Sequence, residues 1–308
     1  MMRIVFMGTP DFAVPCLKAL IDDGNEIKGV FTQPDKPKGR GYTMTPPPVK
    51  ELALLNNINV YQPTTLRDGK ALELLKELDP EMIVVVAYGK ILPEEIINLP
   101  EYGCVNIHAS LLPQYRGAAP IQQAVLDGCE ITGVTAQCMD VGIDTGDILM
   151  RSETEIGENE TADELHDRLS EMGAELIVKV VHAAAEGTLV REKQDDSKAS
   201  HVGKLTKEMS VIDFTKSAKH IHDQVRGLNS WPSACASLNG KRIKIHRTLI
   251  AQGKGEPGQV LSLSPLTVAC GEGALEITEL QPEGKKKMDA RSFVNGLHIK
   301  NASELKFS

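Results

Sequence analysis

The sequence predicts an α/β protein in which a mainly parallel sheet, flanked by helices, precedes a small β-barrel. Three observations carry that reading. The first half alternates apolar, β-branched runs with amphipathic stretches, the second half strings short strands between glycine turns, and a polar connection separates the two. At 308 residues the chain exceeds what one hydrophobic core usually serves, so two domains are expected.

Taken in order, RIVFMG, EIKGVFTQ, INVYQ, MIVVVAYG, CVNIHAS and TGVTAQCMD read as strands. Several lack polar alternation, as strands buried on both faces do. Helical periodicity lies between them in DFAVPCLKALIDDG, PPVKELALLNN, LRDGKALELLKEL and AAPIQQAVLDG, and a longer helix is expected roughly over 161–187. Ligands of such sheets collect at the carboxyl ends of strands. The glycines of GTPDFAVP do not make GxGxxG, so no dinucleotide cofactor is expected. The stretch REKQDDSKASHVGK has the composition of a connection, which places a sheet domain at 1–188, a linker at 189–204 and a second domain at 205–308. There, DFTKSAKHIHDQVRGL reads as a helix. ACASLNGKRIKIHRT, GQVLSL, LTVACG and ALEITELQP read as strands joined by NG, GEPG and GEG turns, the pattern of a small barrel.

Composition narrows the function classes. MMRIVFMGTPDF reads as a buried first strand rather than a signal peptide, and no apolar run approaches the roughly 20 residues a membrane helix needs. The six cysteines, Cys16, Cys104, Cys129, Cys138, Cys235 and Cys270, form no CxxC pair. They are expected to be reduced core or near-core residues of a cytoplasmic protein, with no metal site. The net charge of -8 hides an asymmetry: residues 1–200 carry 18 Lys+Arg against 32 Asp+Glu, and residues 201–308 carry 16 against 10. A basic C-terminal half suits a polyanion, and it equally describes an ordinary solvated surface.

The chemistry concentrates in VNIHASLLPQYRG. Strand residues two apart face one side, so Asn106 and His108 project together while Ile107 packs oppositely. A neutral donor and a titratable donor then converge, which suits an oxyanion and a leaving group. MDVGIDTGDIL offers Asp140, Asp144 and Asp147 as the carboxylate partner, with glycines around Asp144 permitting close approach. The same spacing also describes a hydrogen-bonded core histidine beside turn aspartates. QPDKPKGRGYTMTPPP reads as a mobile loop bearing Lys36, Lys38 and Arg40. Trp231, the only tryptophan, is expected as an inter-domain anchor or core residue. Lys285 to Lys287 read either as phosphate contacts or as a solvated turn.

NIHASLLPQYRGAAPIQ followed by GVTAQCMDVGIDTGDIL resembles the folate-dependent formyltransferases. RIVFMGTPDFAVP, QPDKPKGRG, GKLTKE, VIDF, RGLNSWP and LQPEGKKKM extend the resemblance through nearly the whole chain, toward the members whose acceptor is a tRNA. It implies a Rossmann-like catalytic domain and an OB-like barrel. It also implies transfer of the formyl group of 10-formyltetrahydrofolate to the α-amine of methionine on initiator Met-tRNA, without a metal or membrane, by a cytoplasmic monomer. Asn106, His108 and Asp144 match the family's catalytic residues, and Ser110, Leu111, Leu112 and Pro113 match its folate-binding segment. The pterin needs an apolar slot, for which Tyr88, Ile91, Leu92, Val141 and Gly142 are the expected walls. Lys36, Lys38, Arg40, Lys204, Lys285, Lys286 and Lys287 are the expected tRNA contacts, with Arg40 in the GRG loop that wedges into the acceptor stem. Relatives that formylate a nucleotide sugar or water share the Asn, His, Asp and SLLP features; the GRG loop and basic C-terminal half favour tRNA. Phe214 stands where the family commonly shows Trp, a departure away from the chemistry.

Overall fold

The computed structural model describes residues 1–38, 42–299 and 301–308. In chain order the elements are β1 (Arg3–Gly8), α1 (Val14–Asp22), β2 (Glu26–Phe31), β3 (Lys36–Lys38), β4 (Thr43–Thr45), α2 (Pro48–Leu55), β5 (Val60–Tyr61), α3 (Lys70–Leu78), β6 (Met82–Val86), α4 (Glu94–Ile97) and β7 (Cys104–His108). They continue with β8 (Arg116–Gly117), α5 (Pro120–Leu126), β9 (Ile131–Cys138), β10 (Ile148–Glu155), α6 (Ala162–Ala185), β11 (His201–Val202) and α7 (Ala218–Gly227). The remainder holds β12 (Cys235–Leu238), β13 (Lys241–Ala251), β14 (Val260–Leu263), β15 (Leu266–Ala269), β16 (Ala274–Pro282), β17 (Met288–Asp289) and α8 (Ala290–Leu297). Two compact units result, one of residues 1–117, 132–154 and 166–202, the other of 118–131, 155–165 and 203–308.

The first unit is built on a seven-stranded sheet ordered β10-β9-β7-β6-β1-β2-β5. β1 runs parallel to β2 and β6, β2 to β5, and β6 to β7, as the apolar strand runs imply; β9 pairs antiparallel with β7. MIVVV of β6 is buried at all five positions because helices cover both faces of a parallel sheet. Pro48 and Pro120 each occupy a first helical turn, where the missing N–H costs no hydrogen bond. QPDKPKGRGYTMTPPP, expected as a mobile loop, contains two short strands, β3 and β4, paired antiparallel with Lys36 opposite Thr45. Its proline content masks a strand signal. β10 was also not expected, since ILMRSETE alternates poorly and is only half-buried along most of its length.

In the second unit an antiparallel sheet is ordered β12-β13-β16-β15-β14, with β17 on β16. Asn239 (φ 48°) and Gly240 (φ 79°) form the two-residue turn between β12 and β13, the left-handed pair that a tight hairpin requires. The sheet curls until the chain terminus bridges its two edges: Leu238 pairs with Phe307, and Gln259 pairs with Lys306. Phe307 meets Phe214 with ring centroids 5.7 Å apart inside the core, so Phe214 is a packing residue. Trp231 is not a core residue: it is 51% exposed, because Pro232 to Ala236 take the inward positions of that segment. Thr161 and Glu164 cap the start of α6 reciprocally, Thr161 N donating to Glu164 Oε2 at 2.9 Å. Among the described residues no helix is long and apolar enough to cross a membrane.

Buried His222 links this unit's stability to pH. Its Nε2 donates to the Glu158 carbonyl at 3.0 Å, so Nδ1, 2.9 Å from Thr248 Oγ1, accepts from that hydroxyl; this is the neutral ring. Burial above all, with Arg226 acting in the same direction, holds its pKa below the ordinary histidine value, against the Glu158 carbonyl and Asp223. The unfolded ring binds its proton near pH 6.5. Stability from a neutral His222 is therefore full above that pH and is lost as pH falls from there through the depressed folded value. Thermal midpoints at pH 7.5 and pH 5 should show a smaller acid-induced drop for His222→Gln than for the unsubstituted protein. Equal drops would remove His222 from the acid response.

Candidate active site

β7 brings Asn106 and His108 to one face of the sheet, near its carboxyl end. Asn106 lies opposite Gln137 of β9 and His108 opposite Thr135, so four polar residues share that face. His108 is only 6% exposed. Its Nε2 lies 2.9 Å from the Tyr115 carbonyl, which can only accept, so the proton sits on Nε2. Nδ1 faces Asp144 Oδ1 at 3.6 Å, an ion-pair distance too long for a hydrogen bond.

Asp144 arrives there by a detour. Because β9 runs antiparallel to β7, with Val105 opposite Cys138, β9 ends beside the start of β7, away from His108. The following loop must return over the face of the sheet, and it does so at close range: a Cβ on Gly146 would lie 1.8 Å from the Cys138 carbonyl oxygen. Asp144 itself takes φ 56°. Its carboxylate accepts from Gly117 N at 2.9 Å and from Gln137 Nε2 at 2.8 Å. Gly117 is required there, since at φ 114° a Cβ would lie 2.3 Å from the Val202 carbonyl oxygen. Gln194 Nε2 donates to the carbonyls of Asp144 (2.9 Å) and Gly146 (2.7 Å), and buried Arg116 holds the Gln194 oxygen at 2.8 and 3.1 Å while pairing with Asp196 at 2.7 Å. The carboxylate is thus oriented by protein donors, with its charge turned toward the imidazole.

The SLLP segment is a locked turn. Buried Ser110 spends its hydroxyl on the Gln114 carbonyl at 2.6 Å, and Thr135 Oγ1 donates to the Ser110 carbonyl (2.6 Å) while accepting from Leu112 N (3.1 Å). Leu112 is buried; Leu111 and Pro113 are half-buried. Of the expected apolar walls, Tyr88 and Leu92 turn into the core of the first unit, where burial pushes the Tyr88 hydroxyl up to about 12. Ile91 (69%) and Val141 (71%) stand exposed, with Gly142 and Ile143 exposed beside Val141. Lys36 is exposed on β3, and Lys38 ends that strand. Arg40 lies outside the described residues. In the other unit Lys204, Lys285, Lys286 and Lys287 are exposed, and Lys287 pairs with Glu279 at 2.8 Å.

Sequence reasoning missed Arg116, Gln137 and Gln194. Gln137 had a usable signal: Thr135 and Gln137 are polar at a spacing of two inside a buried strand, the pattern that singled out Asn106 and His108. Gln194 had none, since it sits in a polar connection where amides are ordinary.

Residues 2–181 match the family model described as formyl transferase, and residues 204–298 match the one described as formyl transferase, C-terminal domain. The chain belongs to the formyl transferase family. This formyl transferase is 49% identical over 296 residues to a Trichlorobacter lovleyi protein named methionyl-tRNA formyltransferase, covering 96% of this chain and 94% of that one. It is 48% identical over 310 residues to a protein of the same name from Clostridium novyi, covering 99% and 100%. Among solved structures, the N-formyltransferase of Helicobacter canadensis in complex with folinic acid and dTDP-3-aminofucose matches with a TM-score of 0.69 at 21% identity, over 94% of this chain and 100% of that one. HypX from Aquifex aeolicus in complex with tetrahydrofolic acid matches with a TM-score of 0.66 at 17% identity, over 95% of this formyl transferase, which spans 47% of HypX. At those identities the two structures share the fold.

Proposed function

We propose that this chain transfers the formyl group of 10-formyltetrahydrofolate to the α-amino group of methionine on initiator Met-tRNA, giving formylmethionyl-tRNA for translation initiation. Near-full-length identity to proteins named methionyl-tRNA formyltransferase supports the acceptor. The observation that carries the chemistry is His108 Nδ1 facing a fixed carboxylate at 3.6 Å, two residues from an Asn106 amide with no side-chain partner among the described residues.

The methionine amine attacks the formyl carbon, and the carbonyl oxygen becomes an oxyanion that accepts from Asn106. With Nε2 donating to Tyr115, Nδ1 is the nitrogen that takes the proton released by the attacking amine. The Asp144 charge stabilises the imidazolium so formed. As the carbon–nitrogen bond to the folate breaks, the same proton passes to the departing N10, and protons balance without a further acid. Ser110 to Pro113 hold the folate beside β7, Ile91, Val141 and Gly142 supply exposed apolar surface for its rings, and Tyr88 and Leu92 back that surface from the core. Lys36, Lys38 and Arg40 engage the acceptor stem, and Lys204 with Lys285, Lys286 and Lys287 engage phosphates elsewhere on the tRNA. We read the first unit as Rossmann-like and the second as OB-like, its edge-bridged five-strand path supporting the latter. The protein works as a cytoplasmic monomer.

The test supplies labelled 10-formyltetrahydrofolate and Met-tRNA to the protein and to His108→Ala. Labelled N-formylmethionine released from tRNA is expected from the first, at a rate reduced ~100-fold or more in the second. No labelled methionine from the unsubstituted protein would end this reading.

A further inference from the structure

We propose that Gln137 is a positioning residue that couples the Asp144 carboxylate to Asn106 and thereby aims the Asn106 amide at the formyl oxygen. The inference rests on the formyl-transfer reading and goes beyond it, because it concerns which donor is oriented and by what. Gln137 is 1% exposed on β9, and its carboxamide has one fixed direction. Nε2 donates to Asp144 Oδ1 at 2.8 Å, and a carboxylate only accepts, so the amide cannot be reversed without setting oxygen against oxygen. Oε1 then necessarily points away from Asp144. It is buried with no hydrogen-bonding partner.

A buried acceptor left unmet costs about 1–3 kcal/mol, so this oxygen calls for a donor. Asn106 is the donor in place. It sits directly across the ladder from Gln137, where facing Cβ atoms lie ~4.5–5.5 Å apart, and its own amide has no partner among the described residues. When the two carboxamides meet, one Asn106 N–H goes to Gln137 Oε1. The geometry of a planar amide then fixes the second N–H, which is the one left for the substrate's oxyanion. Asp144 therefore acts on two catalytic side chains: directly on His108 across 3.6 Å, and on Asn106 through Gln137. Loss of this link leaves the Asn106 amide free to rotate. Misplacement of a catalytic group by about 1 Å can cost ~100-fold in rate.

Gln137→Met keeps an unbranched side chain of similar length and removes both polar atoms. With 10-formyltetrahydrofolate and Met-tRNA it should lose turnover by about 10- to 100-fold while KM for the folate stays within about twofold. The thermal midpoint, measured alongside, shows that the fold survives; Gln137→Leu repeats the measurement if it does not. The decisive comparison is a double-mutant cycle. If Gln137 works through Asn106, Asn106→Ala combined with Gln137→Met should be little slower than Asn106→Ala alone. Multiplicative losses, a raised KM at unchanged turnover, or full turnover in Gln137→Met would each overturn the proposal while leaving formyl transfer by the parent protein intact. Absence of transfer by the parent protein would instead remove the functional reading itself.

Discussion

Asp144→Asn should lower formyl-transfer turnover by about 100- to 10,000-fold, with affinity for 10-formyltetrahydrofolate changed only a few-fold. Two effects combine. The substitution removes the negative charge 3.6 Å from His108 Nδ1, so an imidazolium forming during transfer loses its counter-charge. It also breaks the hydrogen-bond match, because both carboxylate oxygens accept, one from Gly117 N and the other from Gln137 Nε2. An asparagine has one acceptor oxygen, so one donor is left facing an NH₂ group. Relief by reversing Gln137 would turn that side chain's donor toward Asn106. Steady-state kinetics with both substrates checks the expectation, and turnover within a few-fold of the parent would remove Asp144 from the reaction.

Gly146→Ala should be nearly as damaging without touching any proposed catalytic atom. A Cβ there would sit 1.8 Å from the Cys138 carbonyl oxygen and 2.9 Å from its carbon, both of them backbone, so the returning loop must lift. Gln194 binds the Gly146 and Asp144 carbonyls together, which carries the displacement to the carboxylate. Activity should fall about 100-fold, the scale expected when a catalytic group shifts by about 1 Å. The thermal midpoint should fall by several degrees, since strain of a few kcal/mol in a unit of this size shifts it about 2–4 °C per kcal/mol. Gly203→Ala is the control: a Cβ at that position meets nothing within 4 Å, and both quantities should hold. Normal activity in Gly146→Ala would show that the loop's close return does not set the position of Asp144.

The particular residues show where sequence was informative. Asn106 and His108 were legible because a strand's period of two is a strong local rule, and MIVVV was legible as a strand buried on both faces because it is a short, continuous, mostly β-branched apolar run. Asp144 could be shortlisted among three aspartates from its glycine neighbours. Its arrival beside His108 depends on the antiparallel turn of β9 and on Gln194, fifty residues later in a connection with no periodic signal. Ser110 is legible in sequence as part of the SLLP segment, but the turn its hydroxyl closes onto Gln114 is not. Hydrogen-bond partners of this kind are set by tertiary proximity, which local pattern does not encode. Trp231 erred the other way, since a lone large aromatic suggests burial and the fold gives that space to Pro232 and its neighbours.

Formyl transfer to a tRNA-borne amine is tested most directly by offering several acceptors in one reaction. Labelled 10-formyltetrahydrofolate is mixed with the protein, Met-tRNA and a dTDP-linked 3-amino sugar in water, and the label is followed into formylmethionine, formyl sugar and free formate. Label should collect on methionine esterified to tRNA, with the sugar unlabelled and formate at the level of the enzyme-free control. Label in the sugar or in formate, with the tRNA unlabelled, would contradict the proposed acceptor and leave Asn106, His108 and Asp144 serving a different transfer.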